Sequence, residues 1–463
     1  MLDRLRQLFL PSRKRGFDAA AGGTRWSSRH SFGPLGPAVL AAAGPVRSRA
    51  RYQAANNGWA VSGVEALTTA LIGSGIVPAP LHSDESARKL IGAAFTSWAA
   101  TADADGLTDF YGIQASAARA LVVDGEAFLH MPVGADGLKL RLIPAEMVDA
   151  SYTVELGDGR RVIAGIEFDA AGTRVAYHVS EGLPTDLYAT HSAPIRIPAQ
   201  DIVHLFRPLG AGQVRGISWL APILLRLGEL DQLEDALLVG AKVAAMHAGF
   251  LTDLNGTSTN PYEGTQTGGI MDTGLEPGTL KVLPAGFDIK FSTPQQAQQT
   301  IEFAQLQLRA VAAGLGVPEH LLTGDLRGAN YSSLRAGLVA FRQRVEQLQY
   351  HLIIPQMLRP IWLRALQVSA LSGAYDFPGF DGEAEYFAAE WYPPAQPWVD
   401  PLKDIEAEAL AVQKGFKSRR QVVAGLGYDI ATLDAEIAND RGREAALGLD
   451  FNQTTIEKGT ANG

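Results

Sequence analysis

The chain has 463 residues, 46% hydrophobic and 19% charged, which is enough apolar material for two to four structural regions rather than one. It has no cysteine, so a disulfide framework, thiolate metal sites and thiol catalysis are excluded. Its net charge of −9 is unevenly spread: residues 1–51 hold ten Lys and Arg against two Asp, a net of +8, so residues 52–463 carry −17. A body that acidic is a poor tight binder of duplex DNA, whose affinity comes from neutralised phosphates.

No apolar run reaches the roughly 18 residues of a membrane span. The start, Met1-Leu2-Asp3-Arg4, lacks a signal peptide's apolar stretch. A soluble protein that stays inside the cell, with no membrane partner, is expected. Residues 1–45 carry Arg13-Lys14-Arg15 and then Gly-, Ser-, Ala- and Pro-rich sequence, which predicts a disordered basic arm. Such an arm is either solvated or in touch with nucleic acid, other subunits or a scaffold.

An α+β body is expected over 46–217. A helix over 50–72 stops at Gly73-Ser74-Gly75, and a second spans 84–102 with Leu90, Ile91, Phe95 and Trp98 inward. Asp103-Ala104-Asp105-Gly106 resembles half a calcium loop but lacks the distal Glu, so it reads as a turn before a helix over 107–123. Strands are predicted over 126–132, 138–144, 162–168, 174–179 and 202–206, with hairpin turns at Gly157-Asp158-Gly159 and Ala171-Gly172.

A Gly-punctuated turn, Gly212 to Ser218, then leads into a helix over 218–250. Its Ile223, Leu224, Leu227, Leu230, Leu233, Leu237 and Leu238 recur at helical spacing. An insertion over 251–292 is rich in turn and strand signals. Thr293-Pro294-Gln295-Gln296 starts a second helix over 293–317 with a capping box, and Gly314-Leu315-Gly316-Val317-Pro318 stops it. The polar stretch 318–331 follows. The longest helical pattern covers 332–368, with Leu338, Phe341, Val345, Leu348, Leu352 and Ile353 inward and kinks expected at Pro355 and Pro360. Arg335 opposes the helix dipole there, and Arg342 and Arg344 follow. The mismatch points either to partners, such as carboxylates of a neighbouring subunit, or to plain solvent exposure. The region 332–390 closes on a rigid aromatic connector. Helices over 400–414, 418–424 and 430–446 fall in the region 391–451, before a polar tail, 452–463, expected to be disordered.

No phosphate loop, His-Glu-x-x-His or Gly-x-Ser-x-Gly motif occurs. Asp124 and Glu126 place two carboxylates close together, as a nuclease would need, but Asp-Gly before a strand reads first as a turn. His204 reads as a core histidine. No enzyme activity, cofactor or metal is expected.

The order and spacing of several short pieces carry a resemblance. They are Asn56-Asn57, Gly73-Ser74-Gly75-Ile76, Phe95-Thr96-Ser97-Trp98, Asp124-Gly125-Glu126, Gln213-Val214-Arg215-Gly216-Ile217-Ser218, Ala241-Lys242-Val243-Ala244-Ala245, Leu275-Glu276-Pro277-Gly278-Thr279-Leu280, Gly314 to Pro318, Asn330-Tyr331-Ser332-Ser333 and Val399-Asp400-Pro401. Together they resemble the lambda family of tailed-bacteriophage portal proteins.

The resemblance implies a portal fold. The wing would be 46–217, the stem helices 218–250 and 293–317, the β-rich clip 251–292, the tunnel loop 318–331 and the helical crown 391–451. Subunits would form a ring, usually a dodecamer, at one capsid vertex of the virion, after assembly in the host cytoplasm. It implies that Thr323, Gly324, Asp325, Arg327, Gly328, Asn330 and Tyr331 face double-stranded DNA passing non-specifically through the channel. It implies too that Leu275, Glu276, Pro277 and Gly278 dock the large subunit of terminase. The major capsid protein and a head-completion or adaptor protein are the other implied partners. The motor ATPase of such systems is a separate protein, in keeping with the missing phosphate loop. The alternative reading is another capsid-associated protein, a head-completion or minor capsid component.

Overall fold

A computed structural model describes residues 33–182, 193–245, 249–253, 266–267, 270–271, 287–291, 297–327, 331–373, 375, 377, 384–395 and 400–449. Helix α1 (Leu35–Asn56) begins upstream of the boundary expected at residue 45 and buries Val39 and Ala43. The expected arm is therefore too long at its C-terminal end. The run Ala38-Val39-Leu40-Ala41-Ala42-Ala43 favours helix strongly enough to override the neighbouring Gly and Pro. Asn57 divides the single helix predicted over 50–72, because its side chain accepts the Ala60 amide and starts α2 (Gly58–Ile72).

Strand β1 (Val77–Pro80) leads to α3 (Glu85–Ala99) and α4 (Phe110–Val123), which begin at Asp84 and Asp109. Each cap carboxylate accepts the amide three residues on, Ala87 for Asp84 and Gly112 for Asp109. Between them Asp103 takes the amides of Asp105, Leu107 and Thr108. This is a side-chain-closed turn of the kind the sequence pointed to. Phe95 packs edge-on to Phe110 and 4.7 Å from Trp362, tying α3 and α4 to a helix far along the chain.

The strands form two main antiparallel sheets. β2 (Glu126–His130) pairs with β3 (Arg141–Ile143) on one side. β4 (Val154–Gly157), β5 (Arg160–Ile163), β6 (Ile166–Phe168), β7 (Arg174–Val179) and β8 (Ile195–Pro198) follow one another as a five-stranded meander. The strand predicted over 162–168 is broken by Ala164 and Gly165, both at positive φ, into the ends of two strands. β9 (Ile202–Phe206) returns to the free side of β2.

Helix α5 (Leu224–Ala245) starts later than the sequence suggested; 219–223 form turns first. Leu224, Leu227 and Leu230 are buried against the body, but Leu237, Leu238 and Val239 are 41%, 54% and 58% exposed. The inward face predicted to include Leu237 and Leu238 ends near Leu233. α5 packs on α1 in its first half, and residues 235–240 are exposed on every side. β10 (Gly249–Asp253) pairs with β11 (Phe287–Phe291) and frames the insertion. Leu275, Glu276, Pro277 and Gly278 lie outside the described residues, as does the capping box 293–296.

α6 (Ala297–Leu315) ends where the Gly-Leu-Gly-Val-Pro signal put it. Gly316 takes φ +78, and the Gly316 and Val317 amides both donate to the Ala312 carbonyl. α7 (Glu319–Thr323) is a short helix inside the predicted loop. α8 (Tyr331–Leu348) then runs into a π-wound stretch, Gln349–Leu358, and on into α9 (Arg359–Leu371). Proline lacks an N–H and its ring crowds the carbonyl four residues back; wider winding around Pro355 relieves both, so a π segment stands where a kink was predicted. Phe341, Val345, Leu348, Leu352 and Ile353 are buried as their spacing required.

After α10 (Ala384–Phe387), β12 (Ala389–Tyr392) pairs with β1 and closes the body. α11 (Pro401–Gln413), α12 (Arg419–Gly425) and α13 (Ile430–Leu447) match the predicted helices, and Ser418 and Gln421 make a full capping box. α11 and α13 bury no residue. The fold is α+β, helices before and after a β-rich centre.

Candidate functional site

The polar loop after α6 is anchored at its root and exposed at its tip. Leu322 is buried, and the Ser62 hydroxyl on α2 donates to the Leu321 carbonyl at 3.2 Å. Gly324 ends α7 in the left-handed region at φ +68, its amide on the His320 carbonyl; glycine is the residue that takes this conformation without penalty. The Thr323 hydroxyl donates to the Glu319 carbonyl and accepts the Asp325 amide.

Asp325 in turn accepts the Arg327 amide at 2.9 Å. Its carboxylate also takes Arg327 Nε at 3.0 Å and Nη2 at 2.9 Å. The Arg327 guanidinium, foremost through that side-chain bond, holds the Asp325 carboxyl down to about 2. Arg327 is 87% exposed along its side chain, yet its charge is balanced two residues away. Leu326 beside it is exposed too. The structure therefore brings Thr323, Gly324, Asp325 and Arg327 into one closed turn. Gly328 and Asn330 lie outside the described residues, and Tyr331 is the first residue of α8.

The loop stands on a body held by a second cluster. Two of the short pieces singled out above, Asp124-Gly125-Glu126 and Gln213 to Ser218, meet backbone to backbone. A Cβ on Gly125 would enter the Ile217–Ser218 peptide, and one on Gly216 would enter Gly125. That approach lets Glu126, 1% exposed at the start of β2, accept the Gly216 amide at 2.9 Å.

Arg215, also 1% exposed, donates Nη2 and Nε to the same carboxylate at 2.6 and 2.9 Å. Its remaining donors go to the carbonyls of Val148, Ala164 and Ala145. Arg47 of α1 adds a third contact at 2.6 Å. Burial alone would raise the Glu126 carboxyl. The Arg215 charge and the bonds from His204 and Arg215 outweigh it and hold the group far below the usual carboxylate range. Nearby, Asp124 holds Arg51 through two bonds of 2.7 Å. Neither carboxylate is available to a substrate, so the pair a nuclease would need is committed to ion pairs. Among the described residues no cluster of His, Asp and Glu is placed to hold a metal ion. The signal was an unexplained Arg and Glu inside otherwise apolar sequence, 89 residues apart.

His204 is buried between the rings of Phe128 and Phe206, at 4.2 and 4.6 Å. Its Nε2 meets Glu126 Oε2 at 3.2 Å, while Nδ1 has no partner. A neutral ring donating from Nε2 satisfies this arrangement; a second proton would sit on Nδ1 facing nothing. Burial pushes the imidazole down to about 4, its bond to Glu126 pulling the other way. The unfolded chain protonates this histidine near 6.5, so between there and about 4 it takes up a proton that the folded chain refuses. Stability is full above that window and falls as pH drops through it, by about 3 kcal/mol in all. His204→Phe should flatten this dependence when urea midpoints are compared at pH 7, 5.5 and 4.5. An unchanged slope would mean another group carries it.

An exposed, side-chain-closed loop thus lies between α6 and α8, on a body held by buried ion pairs. The chain matches the family model described as phage portal protein, lambda family, over residues 29–349, and it belongs to that family. The match takes in both the loop and the buried cluster. The chain is similar, at 24% identity over 445 residues, to the probable portal protein of Halomonas phage phiHAP-1, covering 92% of this chain and 85% of that one. It is 22% identical over 387 residues to the portal protein of Escherichia phage N15, covering 74% and 73%. Among solved structures it is similar to a chain in the neck of a native gene transfer agent particle computed with C12 symmetry. That likeness has 16% identity and a TM-score of 0.44, over 85% of this chain and 98% of that one.

Proposed function

We propose that the chain assembles as a dodecameric ring at one capsid vertex of the virion, and that double-stranded DNA is packaged and ejected through its centre. The family match over residues 29–349 carries this reading. The exposure of residues 235–240 of α5 on every side and the absence of buried residues on α11 and α13 support it, since these are faces a lone chain leaves uncovered. The wing, stem, clip and crown take the ranges given above, and Leu275, Glu276, Pro277 and Gly278 of the clip dock the terminase large subunit. The major capsid protein surrounds the ring, and a head-completion or adaptor protein follows the motor. Assembly takes place in the host cytoplasm.

Residues 318–331 form the tunnel loop, with Thr323, Gly324, Asp325, Arg327, Gly328, Asn330 and Tyr331 toward DNA. A channel must let DNA slide. The Asp325–Arg327 pair suits that need, because a balanced cation releases few counterions from the duplex. Electron microscopy and native mass spectrometry of the purified protein test the ring. Closed rings with a central hole are expected, and a monomer that also fails to enter capsids would reject the reading.

For the loop, Asp325→Asn should raise DNA affinity at low salt and steepen its salt dependence by unmasking Arg327. Arg327→Ala should lower both and leave the ring intact. Equal affinities for the wild type and both variants would remove this loop from the channel.

A further inference from the structure

Helices α5 and α6 leave a groove between them that no described residue covers. Leu225, Arg226, Glu229 and Leu233 recur along one face of α5, and Phe303 and Gln307 of α6 complete the lining of a space of about 570 Å³. Arg226 Nη1 donates to Gln307 Oε1 at 2.7 Å and joins the two walls. Leu225 is 80% exposed and Phe303 50%, so apolar side chains in the lining stand open to water. The groove's carboxylate, Glu229, is exposed and has no ion pair among the described residues. The charge along this part of α5 is all of one sign: Glu229, Asp231, Glu234 and Asp235 fall within seven residues that hold no Lys or Arg. An apolar groove in a negative field selects a cationic, amphipathic segment.

We infer that residues 2–9 of the same chain dock in this groove. Leu2, Leu5, Leu8 and Phe9 recur at three- and four-residue spacing, with Arg4 and Arg6 between them and Pro11 bounding the run. Residues 11–32 contain no Leu, Ile, Val or Met, so the aliphatic material of the arm is concentrated in its first ten residues. The arm also has the complementary charge: residues 1–32 hold seven Lys and Arg against two Asp, a net of +5. Leu2, Leu5 and Phe9 meet Leu225, Leu233 and Phe303, and Arg4 and Arg6 face the acids of α5. Reach is no obstacle. Residues 33 and 34 lead into α1, which packs on α5, with Gln53 Nε2 3.9 Å from where a Cβ on Gly228 would stand. The helix from Leu35 to Gln53 rises about 27 Å, whereas residues 10–34 can extend to about 80 Å. The contact is made within one chain and stands apart from the ring proposed above.

The chain has no cysteine, so an introduced pair reports a single contact in the full-length protein. Leu5→Cys with Leu225→Cys should form a disulfide within one chain under mild oxidation. It should do so about tenfold faster than Leu5→Cys with Leu107→Cys, because docking raises the local concentration of the first pair alone; Leu107 is 88% exposed, so access does not limit the control. Trypsin gives a reading without introduced thiols, since cleavage after Arg4 and Arg6 follows the undocked fraction. That cleavage should run about tenfold faster in Leu225→Glu with Phe303→Glu than in the wild type. Unfolding midpoints of the two should agree, because both positions are exposed. Glu229→Lys should likewise slow the disulfide and speed the cleavage. Equal disulfide rates at Leu225 and Leu107, or cleavage that the groove variants leave unchanged, would overturn the inference. Disulfides joining two chains, seen on mixing Leu5→Cys with Leu225→Cys single variants, would overturn it too and give the groove to a second copy.

Discussion

Glu126→Ala is expected to destabilise the fold by about 3–5 kcal/mol, the cost of leaving a buried charge without its counterion. Two guanidiniums converge on this one carboxylate. Arg215 is 1% exposed, so removing Glu126 strands its Nε and one N–H of Nη2, while the carbonyls of Val148, Ala164 and Ala145 still hold its other donors in place. Arg47 loses its 2.6 Å contact and keeps only Glu146 at 3.6 Å, which loosens α1 from β2. The Gly216 amide and His204 Nε2 lose an acceptor at the same time.

Arg51→Ala offers the contrast. Its pair with Asp124 is as short, but Arg51 is 44% exposed, and such pairs contribute about 1 kcal/mol or less. Urea unfolding of the two variants should therefore separate clearly. Glu126→Leu combined with Arg215→Met should recover part of the loss, because a buried pair replaced whole leaves one fewer stranded charge. A Glu126→Ala variant as stable as Arg51→Ala would show that water reaches this cluster.

What was legible in the sequence is what neighbouring residues decide. The Gly316 stop and the hairpin at Gly157-Asp158-Gly159 are settled within four or five residues, and each stands where its chemistry placed it; the helix expected from 107 instead starts at Phe110, where Asp109 caps it. Periodicity found the buried face of α8 but overran on α5. Leu237 and Leu238 keep helical spacing, yet what covers a face depends on neighbours that spacing does not name. The start of α1 was hidden because Gly and Pro suggested disorder where an alanine run prevailed.

The candidate loop was visible as a glycine-framed polar stretch. The Asp325–Arg327 pairing was within reach too, since an Asp two residues before an Arg closes such a turn. The Glu126 cluster was not, because its members come from positions 47, 126, 204 and 215 and only the sheet and α1 bring them together. Arg335, which could have awaited a neighbouring subunit, found Asp404 of its own chain.

Gly125→Ala should be at least as damaging as any single charge deletion, and for a different reason. Gly125 sits at φ +89, where an L-residue costs about 1–2 kcal/mol before any contact is considered. Its added Cβ would then meet the backbone of Ile217 and Ser218. A side chain could rotate away; a peptide bond can yield only if the whole 212–218 turn backs off β2. That motion draws Arg215 and the Gly216 amide from Glu126, so the steric change becomes an electrostatic one as well.

Gly172→Ala isolates the first part of this cost. Gly172 has φ +84 in the turn between β6 and β7 and open space where a Cβ would go, so strain alone should appear there. Denaturation midpoints should place Gly172→Ala slightly below the wild type and Gly125→Ala far below both, with most of the latter in inclusion bodies. Equal midpoints would mean that the 212–218 turn can shift without loss. The buried cluster would then be a consequence of the fold rather than one of its supports.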